Sequence, residues 1–410
     1  MSRGEPVLRI GVAGLGRAFT LMLPTFLNDP RVQLVAAADP LVQARAQFER
    51  DFGINAHAQI ETLCADPRVQ VVYVATPHQF HAAHVQLAAT HGKHVLVEKP
   101  MALTLAQCTA MIEATQAAGV HLLVGHSHSF NTPILRTRAL IDSGEFGAVK
   151  MITALNYTDF LYRPRRPEEL DTDQGGGVIH SQASHQMDIL RLLGGGQVRS
   201  VMAHTGAWDL ARPTEGAYQA LLSFNEGVIA SACYSGYGHF DSDDWLGKIG
   251  EMGQTKSVQD YAAARRRLAS VSEVGTEERL KTAGNYGGEL YRGSSTALGS
   301  QSNQPRMAHQ HFGHFIVSCE KADLHPTPTG IDICGDLQRR VEPLARPSVP
   351  RSEVIDELYA TVVQDRPALH SGEWARATTE VCLAILESSR KQSSVQTHWQ
   401  VGLPKSSALP

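Results

Sequence analysis

Between Val7 and Gly125, short and almost wholly apolar runs alternate with longer amphipathic segments. Leu8–Val12, Gln33–Ala38, Val69–Ala75, His94–Val97 and His121–Val124 are rich in β-branched residues. Strands of this kind are buried on both faces, which predicts a parallel sheet covered by helices on either side. The segments between them, Arg17–Leu27, Leu41–Phe52, Gln79–Thr90 and Leu105–Ala118, have the length and apolar spacing of helices. Pro24 should bend the first helix or mark its last turns. The repeated β-α-β alternation predicts a doubly wound α/β domain over residues 1–125.

Beyond Gly125 the period changes. A helical stretch at Pro133–Ser143 precedes longer alternating strands at Val149–Tyr157, Val198–Thr205, Tyr218–Phe224 and Val228–Ser235. Period-two alternation predicts a mainly antiparallel, open sheet with one face covered, in an α/β domain spanning 126–410. Asn225-Glu226-Gly227 marks a hairpin. Residues 247–306 are polar, rich in Gly, Ser, Gln and Arg, and weakly periodic. They are expected to form an insertion with some helix at Val258–Leu268, mobile unless something orders it. A last helix is expected at Ala375–Arg390.

The turn after the first strand reads Gly11-Val-Ala-Gly14-Leu-Gly16-Arg17-Ala18-Phe19. Gly14 allows the tight turn, and Gly16 lets the backbone of Gly16, Arg17 and Ala18 approach a pyrophosphate at the helix N-terminus. Phe19 stands where the dinucleotide fingerprint has Gly or Ala, so a glycine-rich turn that binds nothing stays open on the motif alone. Asp39 ends the second strand, where a carboxylate can accept hydrogen bonds from ribose hydroxyls and would repel a 2′-phosphate; NAD is therefore expected over NADP. Thr76, Pro77 and His78 follow the third strand on the same ligand-binding edge.

Ala75-Thr-Pro-His-Gln-Phe-His81, then Gly92-Lys-His-Val-Leu-Val-Glu98-Lys99-Pro100, resembles the signature of the Gfo/Idh/MocA oxidoreductases. Ser143-Gly-Glu-Phe-Gly-Ala-Val149, Gly175-Gly-Gly177 and His185-Gln-Met-Asp188 extend the resemblance into the second domain. It implies an NAD-dependent dehydrogenase with cofactor contacts from the Thr76–His81 and Glu98–Lys99 segments. It implies that Lys99 polarises the reacting oxygen, and that His185 matches the family's histidine. The family's aspartate, four residues earlier, is Ser181 here. His180 and Gln182 flank that position and could supply another polar arrangement. Outside the family, a lysine at a strand end is usually solvated, and a histidine inside a helix is more often structural than a base.

Composition narrows the partners. In 410 residues, hydrophobic content is 42%, charged content 19% and net charge −4, without a long run of one sign. This excludes nucleic acid and anionic membrane surfaces as expected partners. No apolar run approaches the roughly 20 residues of a membrane span. The N-terminus lacks a signal-peptide core, and the six cysteines lack CxxC spacing, so a cytoplasmic protein with reduced thiols and no metal is expected.

The loop Arg163-Pro-Arg165-Arg166-Pro167 precedes the triple glycine. Arginine forks suit carboxylates, so Arg163 and Arg165, with Gln182 and His185, are candidate contacts to an anionic substrate; a solvated loop is the plainer alternative. This loop, Gln182, the segment His314–Leu324 and the chain length resemble the family branch that oxidises phthalate cis-4,5-dihydrodiol to 4,5-dihydroxyphthalate. A sugar or cyclitol dehydrogenase and a non-catalytic NAD-binding regulator are the alternatives. The open sheet face leads us to expect a homodimer or homotetramer.

Overall fold

The computed structural model describes residues 6–271, 275–291 and 307–404. The first layer runs β1 (Leu8–Ala13), α1 (Arg17–Asn28), β2 (Val32–Ala38), α2 (Val42–Phe52), β3 (Ala56–His57), α3 (Ile60–Ala65), β4 (Val71–Val74), α4 (His81–Thr90), β5 (His94–Val97), α5 (Leu105–Ala117) and β6 (Leu122–Val124). Six strands pair in the order β3-β2-β1-β4-β5-β6, all parallel. The order reverses between β1 and β4, and the crevice at their carboxyl ends is where such sheets bind ligands. β3 and α3 go beyond the sequence reading because they are too short to show a period. Pro24 does not end α1, which continues to Asn28.

The second layer adds α6 (Thr132–Asp142), β7 (Val149–Tyr157), α7 (Ser184–Gly194), β8 (Val198–Gly206), β9 (Ala217–Phe224) and β10 (Ile229–Ser235). After the polar segment come β11 (His314–Cys319), β12 (Ala322–Thr327), β13 (Gly330–Gly335) and β14 (Arg339–Pro343). The described chain closes with α10 (Ser352–Gln364), α11 (Gly372–Lys391) and β15 (Val395–Gln396). These nine strands form one sheet, β14-β13-β12-β11-β7-β10-β9-β8-β15. Only the β10–β7 pairing is parallel. One face packs on α6, α7 and α11 through residues such as Ile152, Leu190, Leu222 and Ile385. The other leaves Met151, Leu221 and Ile229 exposed. Near its end the chain returns to the first layer, where Val354, Ile355 and Leu358 of α10 join the core of Ile10, Phe19 and Phe26.

The polar segment makes contacts to both layers in its described residues. It holds α8 (Ala263–Ala269), shorter than the expected helix, and α9 (Thr276–Ala283); residues 272–274 and 292–306 lie outside the described residues. Glu277 of α9 pairs with Arg212 (2.9 Å) and accepts the Arg165 backbone N–H (3.0 Å). Lys281 pairs with Glu169. Tyr286 is buried edge-on against Phe19, ring centroids 5.1 Å apart, and donates to Asp51 (2.6 Å). Its polar residues find partners in both layers, which composition alone does not disclose.

Candidate active site

The glycine-rich turn is built as its sequence requires. Gly14 has φ +92°, and a Cβ there would stand 2.8 Å from the Ala75 carbonyl oxygen, so only glycine lets β1 and β4 exit this closely. A Cβ on Gly16 would meet nothing within 4 Å. The α1 N-terminus is therefore open to a pyrophosphate, with Arg17 exposed and Ala18 half-buried in its first turn. Phe19, the departure from the fingerprint, fills the core between α1, Phe48 of α2 and Tyr286. Asp39 has a second role: its Oδ2 accepts from Leu15 N (2.7 Å) and its Oδ1 from Leu41 N (2.8 Å), tying the glycine turn to the end of β2. With the glycine turn open and that carboxylate at the ribose position, these residues fit a dinucleotide.

Of the Thr76–His81 candidates, Thr76 Oγ1 meets His84 Nδ1 (3.0 Å), and Pro77 leads into the half-buried His78. His81 is wholly buried, with Nε2 2.8 Å from the Thr76 carbonyl and Nδ1 3.0 Å from that of Pro100. It clamps the β4 and β5 loops together. Burial, then the charges of His81, Lys99 and His180, lowers the pKa of His78 far below its usual value.

Glu98 is buried at the end of β5 and accepts from Tyr73 Oη (2.6 Å); burial raises its pKa. The next residue reaches across the cleft. Lys99 Nζ donates to the Ser181 carbonyl (2.7 Å). Ser181 lies in a single π-helical turn, Ile179–Ala183, immediately before α7. Such wide turns recur at functional sites because they disturb the regular backbone ladder. Here the backbone oxygen of Ser181 meets the ammonium, in place of a side-chain carboxylate at that position. Gly177 (φ +76°) starts the turn so close to Glu215 that a Cβ would overlap its carboxylate.

His185 follows one turn later, buried, with Nδ1 lacking a hydrogen-bond partner among the described residues. Desolvation, then the charges of Lys99, His128, His126 and Arg351, pushes its pKa far down. Its imidazole is therefore neutral at pH 7. Burial lowers His180 to about 4. Gln182 Oε1 accepts from Tyr234 Oη at 3.3 Å, and Tyr234 also meets Thr158 Oγ1 at 2.9 Å.

The two arginine candidates separate. Arg165 lies 3.6 Å from the Phe160 ring centroid and donates to the Phe160 carbonyl (2.6 Å); burial lowers its pKa to about 10. It is committed to the loop. Arg163 is 44% exposed along its side chain, bonds Asp159 at 3.2 Å and lies 5.8 Å from the Phe160 ring centroid. Glu251 and Asp159 raise its pKa against its burial.

Four cleft residues were not predicted for the site. His126 and His128 follow β6. Glu251 comes from the polar segment, and Arg351 precedes α10. Glu251 Oε1 lies 3.3 Å from His128 Nε2, and the His128 and His185 rings are 4.7 Å apart. Arg351 is buried, and desolvation lowers its pKa despite the charges of Glu98, Tyr73 and Glu251. Only the Gly250 and Gly253 flanks of Glu251 hint at a turn, and none of these residues sits in a motif. A separate surface cleft of about 360 Å³, lined by Thr115, His121 and Arg366, contains none of the candidate residues.

A doubly wound sheet with an open glycine turn, an acidic second-strand end and a lysine bonded to the backbone one turn before a neutral histidine has the features of an NAD-binding dehydrogenase. The chain belongs to the Gfo/Idh/MocA oxidoreductases: residues 8–126 match the family's NAD-binding Rossmann-fold domain and residues 134–255 its C-terminal domain. A 1-carboxy-3-chloro-3,4-dihydroxycyclohexa-1,5-diene dehydrogenase of Comamonas testosteroni is 50% identical over 388 residues, 94% of this chain and 96% of its own. A scyllo-inositol 2-dehydrogenase of Bacillus subtilis is 30% identical over 203 residues, 49% of this chain and 58% of its own. A solved structure from Bordetella bronchiseptica RB50, described as a dehydrogenase, matches with TM-score 0.87 and 39% identity, over 95% of this chain and 100% of that one. Among the described residues no helix is long and apolar enough to cross a membrane.

Proposed function

We propose that the protein oxidises a carboxylated cyclohexadiene diol, with phthalate cis-4,5-dihydrodiol as the first candidate, to the corresponding catechol. The observation that carries this reading is the Lys99 ammonium held on the Ser181 carbonyl (2.7 Å), one helical turn before the neutral His185. The 50% identical relative is named for a ring diol bearing a carboxylate, which supports the same chemistry. NAD, when bound, accepts a hydride from the carbinol carbon. His185 takes the hydroxyl proton as the hydride leaves with its electron pair, and the Lys99 ammonium stabilises the developing alkoxide. The ring ketone formed then tautomerises to the catechol. Arg163 pairs with a substrate carboxylate and sets the ring's orientation. A second copy of the chain covers the exposed Met151, Leu221 and Ile229 of the open sheet, and the dimer works in the cytoplasm.

NADH production measured with phthalate, chlorobenzoate and benzene dihydrodiols, inositols and hexoses tests the reading. Turnover should be fastest with a carboxylated diol, and Lys99→Ala should lower kcat by about 100-fold or more. Faster turnover of an inositol or sugar would replace the aromatic reading with the polyol one.

A further inference from the structure

We infer that Arg351 is an anion-binding residue of the cleft, placed to take a carboxylate of the ring substrate. The inference deepens the dehydrogenase reading above, on which it rests for the identity of the anion, with a residue that no motif contains.

Arg351 stands at the seam of the two layers. It directly precedes α10, whose Val354, Ile355 and Leu358 pack in the first core, and the carbonyl of Pro350 beside it accepts from Thr25 Oγ1 of α1. Its side chain turns the other way. Nε donates to Gln310 Oε1 (3.1 Å), and Nη2 lies 3.9 Å from Met252 Sδ. From Gln310 a short run of contacts reaches the histidines. Asn131 Nδ2 donates to the Gln310 carbonyl (2.9 Å) and meets His128 Nδ1 (2.8 Å), and the His128 and His185 ring centroids are 4.7 Å apart. Gln310 and Asn131 thus join the guanidinium to the wall of the cleft that carries His185.

The guanidinium has more donors than partners. Nε alone makes a full hydrogen bond, because a thioether sulfur is a weak acceptor. Among the described residues Arg351 forms no ion pair, and Nη1 has no partner yet is not sealed from solvent. Glu251, next to Met252, is occupied by His128 Nε2 (3.3 Å) instead. The whole residue is only 8% exposed.

The other buried arginines are engaged. Arg138 pairs with Asp142 (2.5 Å), Arg191 donates to the Trp374 carbonyl and Thr378 Oγ1 (2.8 Å each), and Arg212 grips Glu277 with two bonds (2.9 and 3.0 Å). A charge taken out of water without a partner is destabilising. The backbone adds strain, since Arg351 has φ +56°, in the left-handed region that side chains larger than glycine avoid. Neither cost is offset by a contact within the chain, and an anion bound by the guanidinium accounts for both.

The side on which the guanidinium works favours a substrate carboxylate over a cofactor phosphate. The open glycine turn that suits a pyrophosphate belongs to the first layer, at the start of α1. Gln310 and Met252 hold Arg351 on the histidine side instead, and its planar fork matches a carboxylate.

Calorimetric titration of the full chain, saturated with NAD, with phthalate tests this without turnover. Phthalate carries the two carboxylates of the proposed substrate and no hydroxyl to oxidise. Arg351→Gln should raise its Kd about tenfold or more, the effect of one lost charge-assisted hydrogen bond. Arg351→Lys keeps the charge without the fork and should raise it by less. The affinity for NAD should not change in either. Arg351→Met keeps the packed stem and drops the charge, so it should weaken phthalate equally without lowering the melting temperature of the ligand-free chain. An arginine that only braced the seam would lower the melting temperature when replaced and leave the phthalate Kd in place. The inference is overturned by wild-type protein that does not bind phthalate, or by an unchanged Kd in folded Arg351→Gln or Arg351→Met. Weaker NAD binding with phthalate binding intact would assign the arginine to the cofactor's phosphates and overturn it too. If phthalate binding depends on Arg351 but the wild-type protein turns over no diol, the dehydrogenase reading falls and the anion contact stands.

Discussion

Arg163 and Arg165 stand two residues apart with the same chemistry and different surroundings. Arg165 is spent on the Phe160 ring and carbonyl, inside the loop. Arg163 reaches toward the cleft with a single long bond to Asp159. Arg163→Ala should therefore raise KM for a carboxylated diol about tenfold, the worth of one charge-assisted hydrogen bond, and leave the melting temperature nearly unchanged. Arg165→Ala should do the reverse, lowering the melting temperature through lost packing on the Phe160 ring and the lost hydrogen bond to its carbonyl. Equal KM effects from both would show that the loop rearranges around substrate. Composition makes the two equivalent; only the neighbours of each guanidinium separate them. Lys99 and His185 are legible in advance because their motif fixes them at a strand end and on a helix. Glu251 is not, since its contact with His128 spans 123 residues of sequence.

At the scale of elements, α7, α10 and α11 are joined by buried polar groups that the apolar pattern hides. Asp188 accepts from Ser129 Oγ (2.5 Å), Trp374 Nε1 (2.6 Å) and Thr378 Oγ1 (2.9 Å). Ser129 Oγ also meets His370 Nε2 (2.8 Å), and His370 Nδ1 meets Glu357 Oε2 (2.7 Å). Burial disfavours a charged His370, but Glu357 and Asp188 outweigh it and raise its pKa. The sign follows from linkage: this stabilisation is complete below the unfolded pKa of about 6.5 and is lost as pH rises through the raised folded value. Glu357→Gln should accordingly cost on the order of 3 kcal/mol in urea unfolding at pH 6, with a smaller loss at pH 9. A cost that grows with pH would mean that His370 is neutral in the fold. The π turn that opens α7 has no sequence signature, because it is set by how Gly177 and Ser181 seat against Glu215 and Lys99.

Across the whole molecule, the polar segment acts as a clasp. Tyr286 docks on Phe19 and Asp51 of the first layer, while Glu277 and Lys281 hold Arg212 and Glu169 of the second. Tyr286→Ala should cost about 3 kcal/mol or more through the cavity it leaves, and Tyr286→Phe about 1 kcal/mol through the lost hydrogen bond. Unfolding unaffected by Tyr286→Ala would show that the clasp carries no stability. The hydrophobic periods by themselves determine the parallel first sheet, the alternating strands β7 to β10 and the last helix, because each period is a local consequence of which faces are buried. The motifs determine the dinucleotide turn and the Lys99–His185 pair, because backbone approach and reactive side chains restrict residue choice locally. Tertiary structure alone decides the rest: β11 to β14 completing the open sheet, α10 returning to the first core, and Glu251 standing among His128, Lys99 and Arg163. Those outcomes depend on contacts between distant segments. A polar residue's pattern in sequence is the same whether its partner is water or a buried charge, and only the folded chain distinguishes them.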